Sequence, residues 1–311
     1  MLAVCRDGVV ATTDAARGCG IRVRGACGSE SRGPAQPTLI DPAEPVPPLA
    51  DRIEALERRN GAIIGLHATE LDAATSAEYR ADGMFALCST FKAYAAARVL
   101  QMSEAGQVHL TDRLPIGGGP FLTHSPRTQA HFGQTMTLSE LCEAAVQVSD
   151  NTAANMLLTV IGGPPAITAF ARSIGDTRTR LDRWELELNS AIPGDPRDTS
   201  TPAAFGGGIR ALLTGDVLAP PQRAEFERWL QNNETSSIRT VLAPGWAVAD
   251  KTGAGAYGST NDIGVVFAPD GRRAIVAIMV RSAADDPHAA NMQSLIGEIT
   301  RLVLPEVLPP H

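Results

Sequence analysis

Residues 87–94 read LCSTFKAY, and they mark a seam in the chain. Before them, AIIGLHATEL (62–71) and EYRADGMFAL (78–87) read as a pair of strands. After them, as far as about Arg228, apolar residues recur at helical spacing, beginning with the alanine-rich STFKAYAAARVLQMSEAG (89–106). TLSELCEAAVQVSD (137–150) opens on Thr137 and Glu140, the spacing of a capping box. Strand signals return in WAVADKTGAG (246–255), NDIGVVFAP (261–269) and RRAIVAIMV (272–280), the last two joined by the turn PDGR. Amphipathic stretches flank the whole: PLADRIEALERRNG (48–61), ending on Gly61, and NMQSLIGEITRLVL (291–304). Strands at both ends with helices between predict an α+β chain, with a sheet domain made from the two termini and an all-α domain inserted into it. The expected boundaries are 45–82 with 231–311 for the sheet domain and 83–230 for the helical one.

Composition narrows the function. The chain has 311 residues, 44% hydrophobic and 20% charged, enough for a proper core. A net charge of −7, with no basic run interleaved with aromatics, argues against a nucleic-acid surface. No stretch approaches the roughly 18 consecutive apolar residues of a membrane-spanning helix. Residues 1–44 mix charges with short apolar pieces and then prolines, and are expected to be a leader or disordered. They hold no convincing export signal, because Asp7, Asp14, Arg17 and Arg22 interrupt any apolar run. The five cysteines form no C-x-x-C pair, and the histidines form no H-E-x-x-H pattern, so no metal site is expected.

The chain has only two lysines, Lys92 and Lys251, against 25 arginines. A lysine kept where arginine is otherwise preferred is a candidate for work a guanidinium cannot do, since an ammonium can lose its proton when desolvated. Ser89 precedes Lys92 by three residues, which puts both on one helix face one turn apart. A serine at a helix N-terminus lies close to backbone N–H groups that favour an oxyanion, and a nearby base can activate its hydroxyl. Lys251 could supply a second cation that keeps Lys92 less basic. Taken singly these signals are weak. Ser-x-x-Lys pairs are common on solvated helix faces, the Ser149-Asp150-Asn151 triplet is ordinary N-cap chemistry, and Lys251-Thr252-Gly253 could be a strand running into a turn.

Together and in this order, S-x-x-K, S-D-N and K-T-G resemble the motif set of class A serine β-lactamases and penicillin-binding proteins. The resemblance to the class A family runs from about Pro45 to Leu304 and implies a five-stranded antiparallel sheet flanked by terminal helices. It implies that Ser89 attacks the lactam carbonyl, that the backbone N–H groups of Ser89 and Ala254 hold the oxyanion, and that Ser149 relays a proton to the departing nitrogen. Asn151, Thr252, Gly253 and His124 are implied as substrate contacts, with Lys251 on the carboxylate. RWELELNSAIPGDPRDTSTP (183–202) resembles the family's Ω-loop, taken as 183–198. There Glu185 and Asn189 would hold the hydrolytic water, Arg183 and Asp198 would brace the neck, and Trp184 and Leu188 would pack the loop on the body. The family implies no cofactor or metal, β-lactam antibiotics and mechanism-based inhibitors as ligands, a monomer, and export from the cytoplasm.

Several positions depart from the family pattern. Thr260 stands where many members carry a carboxylate-binding arginine; neither Ser237 nor Asn291 replaces it, and Arg281 is the remaining candidate. Cys142 faces Ala96 where some members form a disulfide, and Gly255 stands where others pair a cysteine with the Cys88 position, so both cysteines are expected to be buried thiols. Leu186 follows Glu185 at a bond that is cis in many relatives. A D,D-peptidase would share the three motifs but not Glu185. A β-lactam sensor would need a membrane segment or effector, and an α/β-hydrolase esterase a G-x-S-x-G elbow, which is absent.

Overall fold

The computed structural model describes residues 46–309 apart from Ala74 and Pro120; the expected leader lies outside the described residues. In chain order the elements are α1 (Leu49–Asn60), β1 (Ala62–Glu70), β2 (Ser76–Tyr79), β3 (Phe85–Ala86), α2 (Phe91–Glu104), β4 (Arg113–Pro115), α3 (Pro126–Ala130), β5 (Thr135–Thr137) and α4 (Leu138–Gln147). They continue with α5 (Asn151–Ile161), α6 (Pro164–Ser173), β6 (Thr199–Ser200), α7 (Pro202–Thr214), α8 (Pro220–Gln231), β7 (Ala247–Ala254), β8 (Thr260–Phe267), β9 (Arg273–Ser282) and α9 (Gln293–Val307).

The five-stranded sheet has the order β2-β1-β9-β8-β7, every neighbouring pair antiparallel. This is the α+β architecture expected, with strands from both ends of the chain meeting at β1 and β9. Alternation along the strands splits the apolar side chains between two cores. Ile64, Leu66, Val276, Ile278 and Val280 face α1 and α9. Ile263, Val265, Ile275, Ala277 and Met279 face the helical layer built around α2. No single helix among the described residues is long and apolar enough to cross a membrane.

Local rules explain the helix ends. The capping box at Thr137 forms as its spacing predicts, its hydroxyl accepting from the Glu140 N–H while the Glu140 carboxylate accepts from the Thr137 N–H. Gly61 ends α1 in the left-handed region at φ 56°. Two expectations need correction. EYRADGMFAL is not one strand: the chain leaves β2 at Arg80, with φ 45° and a turn closed by the Gly83 N–H on Arg80 O, and β3 pairs with β6 instead. The stretch expected to be purely helical also holds the small ladder of β4 with β5.

Candidate active site

Ser89 lies in a short 3₁₀ turn, Cys88–Thr90, that runs directly into α2. Cys88 takes φ 47°, which turns the chain sharply before the serine. Lys92, one turn on, is completely buried. Its ammonium donates to Ser149 O at 2.9 Å and Asn151 Oδ1 at 2.6 Å and pairs with Glu185 Oε1 at 3.0 Å. The Ser89 hydroxyl donates to that same Glu185 Oε1 at 3.3 Å, so the serine faces the carboxylate rather than the lysine.

The Ser149-Asp150-Asn151 triplet divides its labour. Asp150 is the N-cap of α5, accepting from the Ala153 N–H at 2.9 Å, and also takes the N–H groups of Arg127 and Thr128. That cap fixes the turn on which Ser149 sits at φ 58°, its hydroxyl 3.3 Å from Lys92 Nζ and 3.2 Å from Lys251 Nζ. Asn151 is held by its side-chain N–H on Thr123 O. His124 lies on the cleft wall, its ring Nε2 2.8 Å from Val148 O.

On the other side, Asn189 Nδ2 donates to Glu185 Oε2 at 2.5 Å, so the glutamate's two oxygens face different partners. Asp198 closes the loop's neck: it accepts from the main-chain N–H groups of Asp182 and Arg183 and from Arg183 Nε at 2.5 Å. The Glu185–Leu186 peptide bond is cis. Leu188 is fully buried in the helical core, whereas Trp184 stays 40% exposed, so one of the two expected packing residues anchors the loop and the other only covers it.

Sequence reading missed Asn155. It lies four residues after Asn151, one turn along α5, and its amide donates to Glu185 O and accepts from Glu185 N, both at 3.0 Å. The i, i+4 spacing was the available signal. Asn155→Ala is expected to cost about 1–3 kcal/mol by stranding both peptide groups, and to lower turnover by displacing Glu185. Thermal melting and steady-state rates check it; an unchanged rate would remove Asn155 from the site.

β7 forms the opposite wall. Lys251 is fully buried and donates to Thr252 O at 2.8 Å. Burial, and after it the charge of Lys92, push its pKa down to about 7; burial lowers that of Lys92 too, against the pull of Glu185. Gly253 lets the strand close on the serine turn, since a Cβ there would come within 2.7 Å of Leu87 O. The cleft between these walls has a volume of about 350 Å³ and brings together Ser89, Ser149, Asn151, Asn189, Thr252, Gly253, Ala254 and His124. Thr235, Ser237, Thr260 and Gln293 also line it, and among the described residues no arginine does. Arg281 lies instead in a separate hollow beside Ile192 and Pro193, which removes it as a cleft cation. Cys88 and Cys142 are free, buried thiols whose pKa burial pushes up.

The sequence profile of the Beta-lactamase enzyme family matches residues 48–307. The carbapenem-hydrolyzing β-lactamase KPC of Klebsiella oxytoca is 44% identical over 261 residues, 82% of this chain and 88% of that protein. β-Lactamase CTX-M-25 of Escherichia coli is 42% identical over 254 residues, 81% and 87% of the two chains. The solved structure of the class A β-lactamase of the last common ancestor of Gram-negative bacteria superposes with a TM-score of 0.77 at 44% identity, covering 82% of this chain and 97% of that one. The chain belongs to the class A serine β-lactamase family. It is therefore a hydrolase of the β-lactam amide bond. The β-lactamase from Burkholderia phymatum has the same fold, with a TM-score of 0.80 at 39% identity and coverage of 83% and 97%.

Proposed function

We propose that this class A β-lactamase opens penicillins and cephalosporins through an acyl-enzyme on Ser89 and so confers resistance to them. The observation that carries the residue roles is Glu185, whose two oxygens meet the Ser89 hydroxyl and the Asn189 amide. In acylation the Ser89 oxygen bonds to the lactam carbon while Glu185 takes the hydroxyl proton, either directly or through Lys92. The carbonyl oxygen becomes an oxyanion held by the N–H groups of Ser89 and Ala254. When the C–N bond breaks, Ser149 passes a proton to the nitrogen and is resupplied by the ammoniums on either side of it. The proton that Glu185 took passes through Lys92 to Ser149, which restores the carboxylate. In deacylation Glu185 and Asn189 then orient water, and Glu185 takes its proton as the hydroxide bonds to the acyl carbon. That proton goes to the departing Ser89 oxygen as the ester is cleaved.

Asn151 and His124 contact the substrate's acyl side chain, and Lys251, Thr252 and Gly253 its carboxylate. Arg183 and Asp198 keep the loop 183–198 closed. The cleft walls correspond to a sheet part, 45–82 with 231–311, and a helical part, 83–230. The enzyme works as a monomer, exported to the periplasm or outside, where β-lactams meet cell-wall enzymes, and it is a target of mechanism-based inhibitors.

The test is hydrolysis of benzylpenicillin across pH. kcat/KM reports the free enzyme, in which Lys251 titrates near 7. Its ammonium is present below that pH and lost above it, so kcat/KM is expected to fall on the alkaline side through a rising KM. Substrate bound to Lys251 holds the proton, so kcat declines only at higher pH. A stable adduct on the wild type in place of turnover would move the chain to the penicillin-binding class.

A further inference from the structure

Two carboxyls beneath the cleft have no part in this chemistry. Asp250 lies on β7, and Asp262 on β8 pairs with Thr252, so the two share a sheet face as diagonal neighbours. Gly264 stands opposite Asp250 and leaves room for them, since a Cβ there would come within 2.7 Å of Asp250 Cβ. Both are fully buried. Three of their four oxygens accept from neutral donors. Asp250 Oδ1 accepts from Asn233 Nδ2 at 2.8 Å, and Asp250 Oδ2 from the Ser236 hydroxyl. Asp262 Oδ2 takes the N–H groups of Ser237 and Ile238 at 2.8 and 2.9 Å. Asp262 Oδ1 is buried and meets no donor; its carboxyl lies within hydrogen-bonding reach of Asp250.

All the donors belong to one turn, residues 233–238. Asn233 Oδ1 in turn takes the N–H and hydroxyl of Thr235, and Thr235 Oγ1 lies 2.5 Å from Thr252 Oγ1. Thr235 and Ser237 are the two residues of the turn that line the cleft, to which no arginine among the described residues contributes.

We propose that Asp250 and Asp262 share one proton and, as a hydrogen-bonded acid pair, fasten the turn 233–238 so that the Thr235 and Ser237 hydroxyls, with Lys251, hold the substrate's carboxylate. The part concerning substrate rests on the β-lactam reading above. The pair itself touches no substrate; both residues are positioning residues. Two full charges so deep and so close are unfavourable, whereas one proton on Asp262 Oδ1 gives that oxygen its bond and leaves a single negative charge. Burial raises the proton affinity of both carboxyls, and the Asp250 charge raises that of Asp262 further. The cations acting on the pair are Arg239, which opposes this at Asp250, and Lys251, whose ammonium both aspartates favour.

Asp262→Asn separates the parts of the proposal. Its amide can accept from Ser237 and Ile238 with the oxygen and donate to Asp250 with the N–H, without titrating. A carboxyl that binds its proton more tightly folded than unfolded loses stability as pH climbs above the unfolded value, about 4. The melting temperature of Asp262→Asn minus that of wild type is therefore expected to grow from pH 5 to 7. A constant or shrinking difference overturns the shared proton. For benzylpenicillin, Thr235→Val is expected to raise KM about tenfold, the loss of one hydrogen bond to a charged group, with kcat within about threefold. Asp262→Ala is expected to raise KM likewise and Asp262→Asn to restore it. An unaltered KM in Thr235→Val, or equal damage from Asn and Ala at 262, overturns the anchoring role. The melts need no substrate, so failure of the wild type to hydrolyse benzylpenicillin would refute the lactamase reading and leave the test of the pair standing.

Discussion

Glu185→Ala is expected to convert a catalyst into a stoichiometric target: mixed with benzylpenicillin, the variant gains the mass of one intact antibiotic on Ser89 and keeps it. The wild type should show only product. Deacylation needs a base to take a proton from water, and a positioned general base contributes about 10²–10⁴ in rate. Glu185 is the carboxylate in place for this, with Asn189 on one oxygen and Ser89 on the other. Acylation suffers less, because Lys92 loses its counter-ion, stays fully buried and lies near the second lysine, conditions that free its amine to act as the base. Acylation in the variant should therefore speed up as pH rises. Rapid turnover by Glu185→Ala, or failure to acylate at any pH, would refute this assignment.

How far such a site can be read in advance depends on where its information is stored. Ser89 and Lys92 are local, three residues apart at a helix start, and the rarity of lysine in this chain made them visible. Lys251 is distant in sequence: the strand and glycine turn around it were legible, and the motif set suggested a second cation near Lys92. Its contact with the Ser149 hydroxyl, however, depends on how the strand meets the helical layer, which no local pattern gives. Asn155 was harder, because its role is to bind a backbone on a different loop, and a polar residue on a helix face looks the same whether it meets water or a peptide group. The Asp250 and Asp262 pair exists only through the register of β7 on β8, which no local pattern encodes. β3 shows the same limit. Phe85 and Ala86 do form a strand, but their partners are Thr199 and Ser200 at the end of the loop that carries Glu185, not the preceding hairpin. A one-dimensional pattern announces extended backbone without naming the strand it will meet.

Lys92→Met is expected to fail differently, and the contrast tests whether lysine and glutamate act as one unit. Both side chains of the 3.0 Å pair are inaccessible to solvent, so neither charge is screened by water. Removing one member of a buried pair typically costs about 3–5 kcal/mol, because the other is left charged without compensation. The cheaper outcome here is that Glu185 takes up a proton. A protonated Glu185 cannot act as the base that takes the Ser89 proton, and the lysine alternative has gone, so acylation itself should slow by about 10²–10⁴. Ser149 also loses one of the two ammoniums that flank its hydroxyl, which weakens proton delivery to the leaving nitrogen. Adduct should therefore appear slowly on Lys92→Met, whereas it appears readily and persists on Glu185→Ala. Single-turnover mass spectrometry distinguishes the two, and a melting curve shows whether the variant is folded. Acylation at the wild-type rate would mean that Lys92 holds the site together electrostatically without moving the serine's proton. A full loss with an unaltered melting temperature would place its contribution in the chemistry, since Glu185 would then have absorbed the missing charge at little cost to the fold.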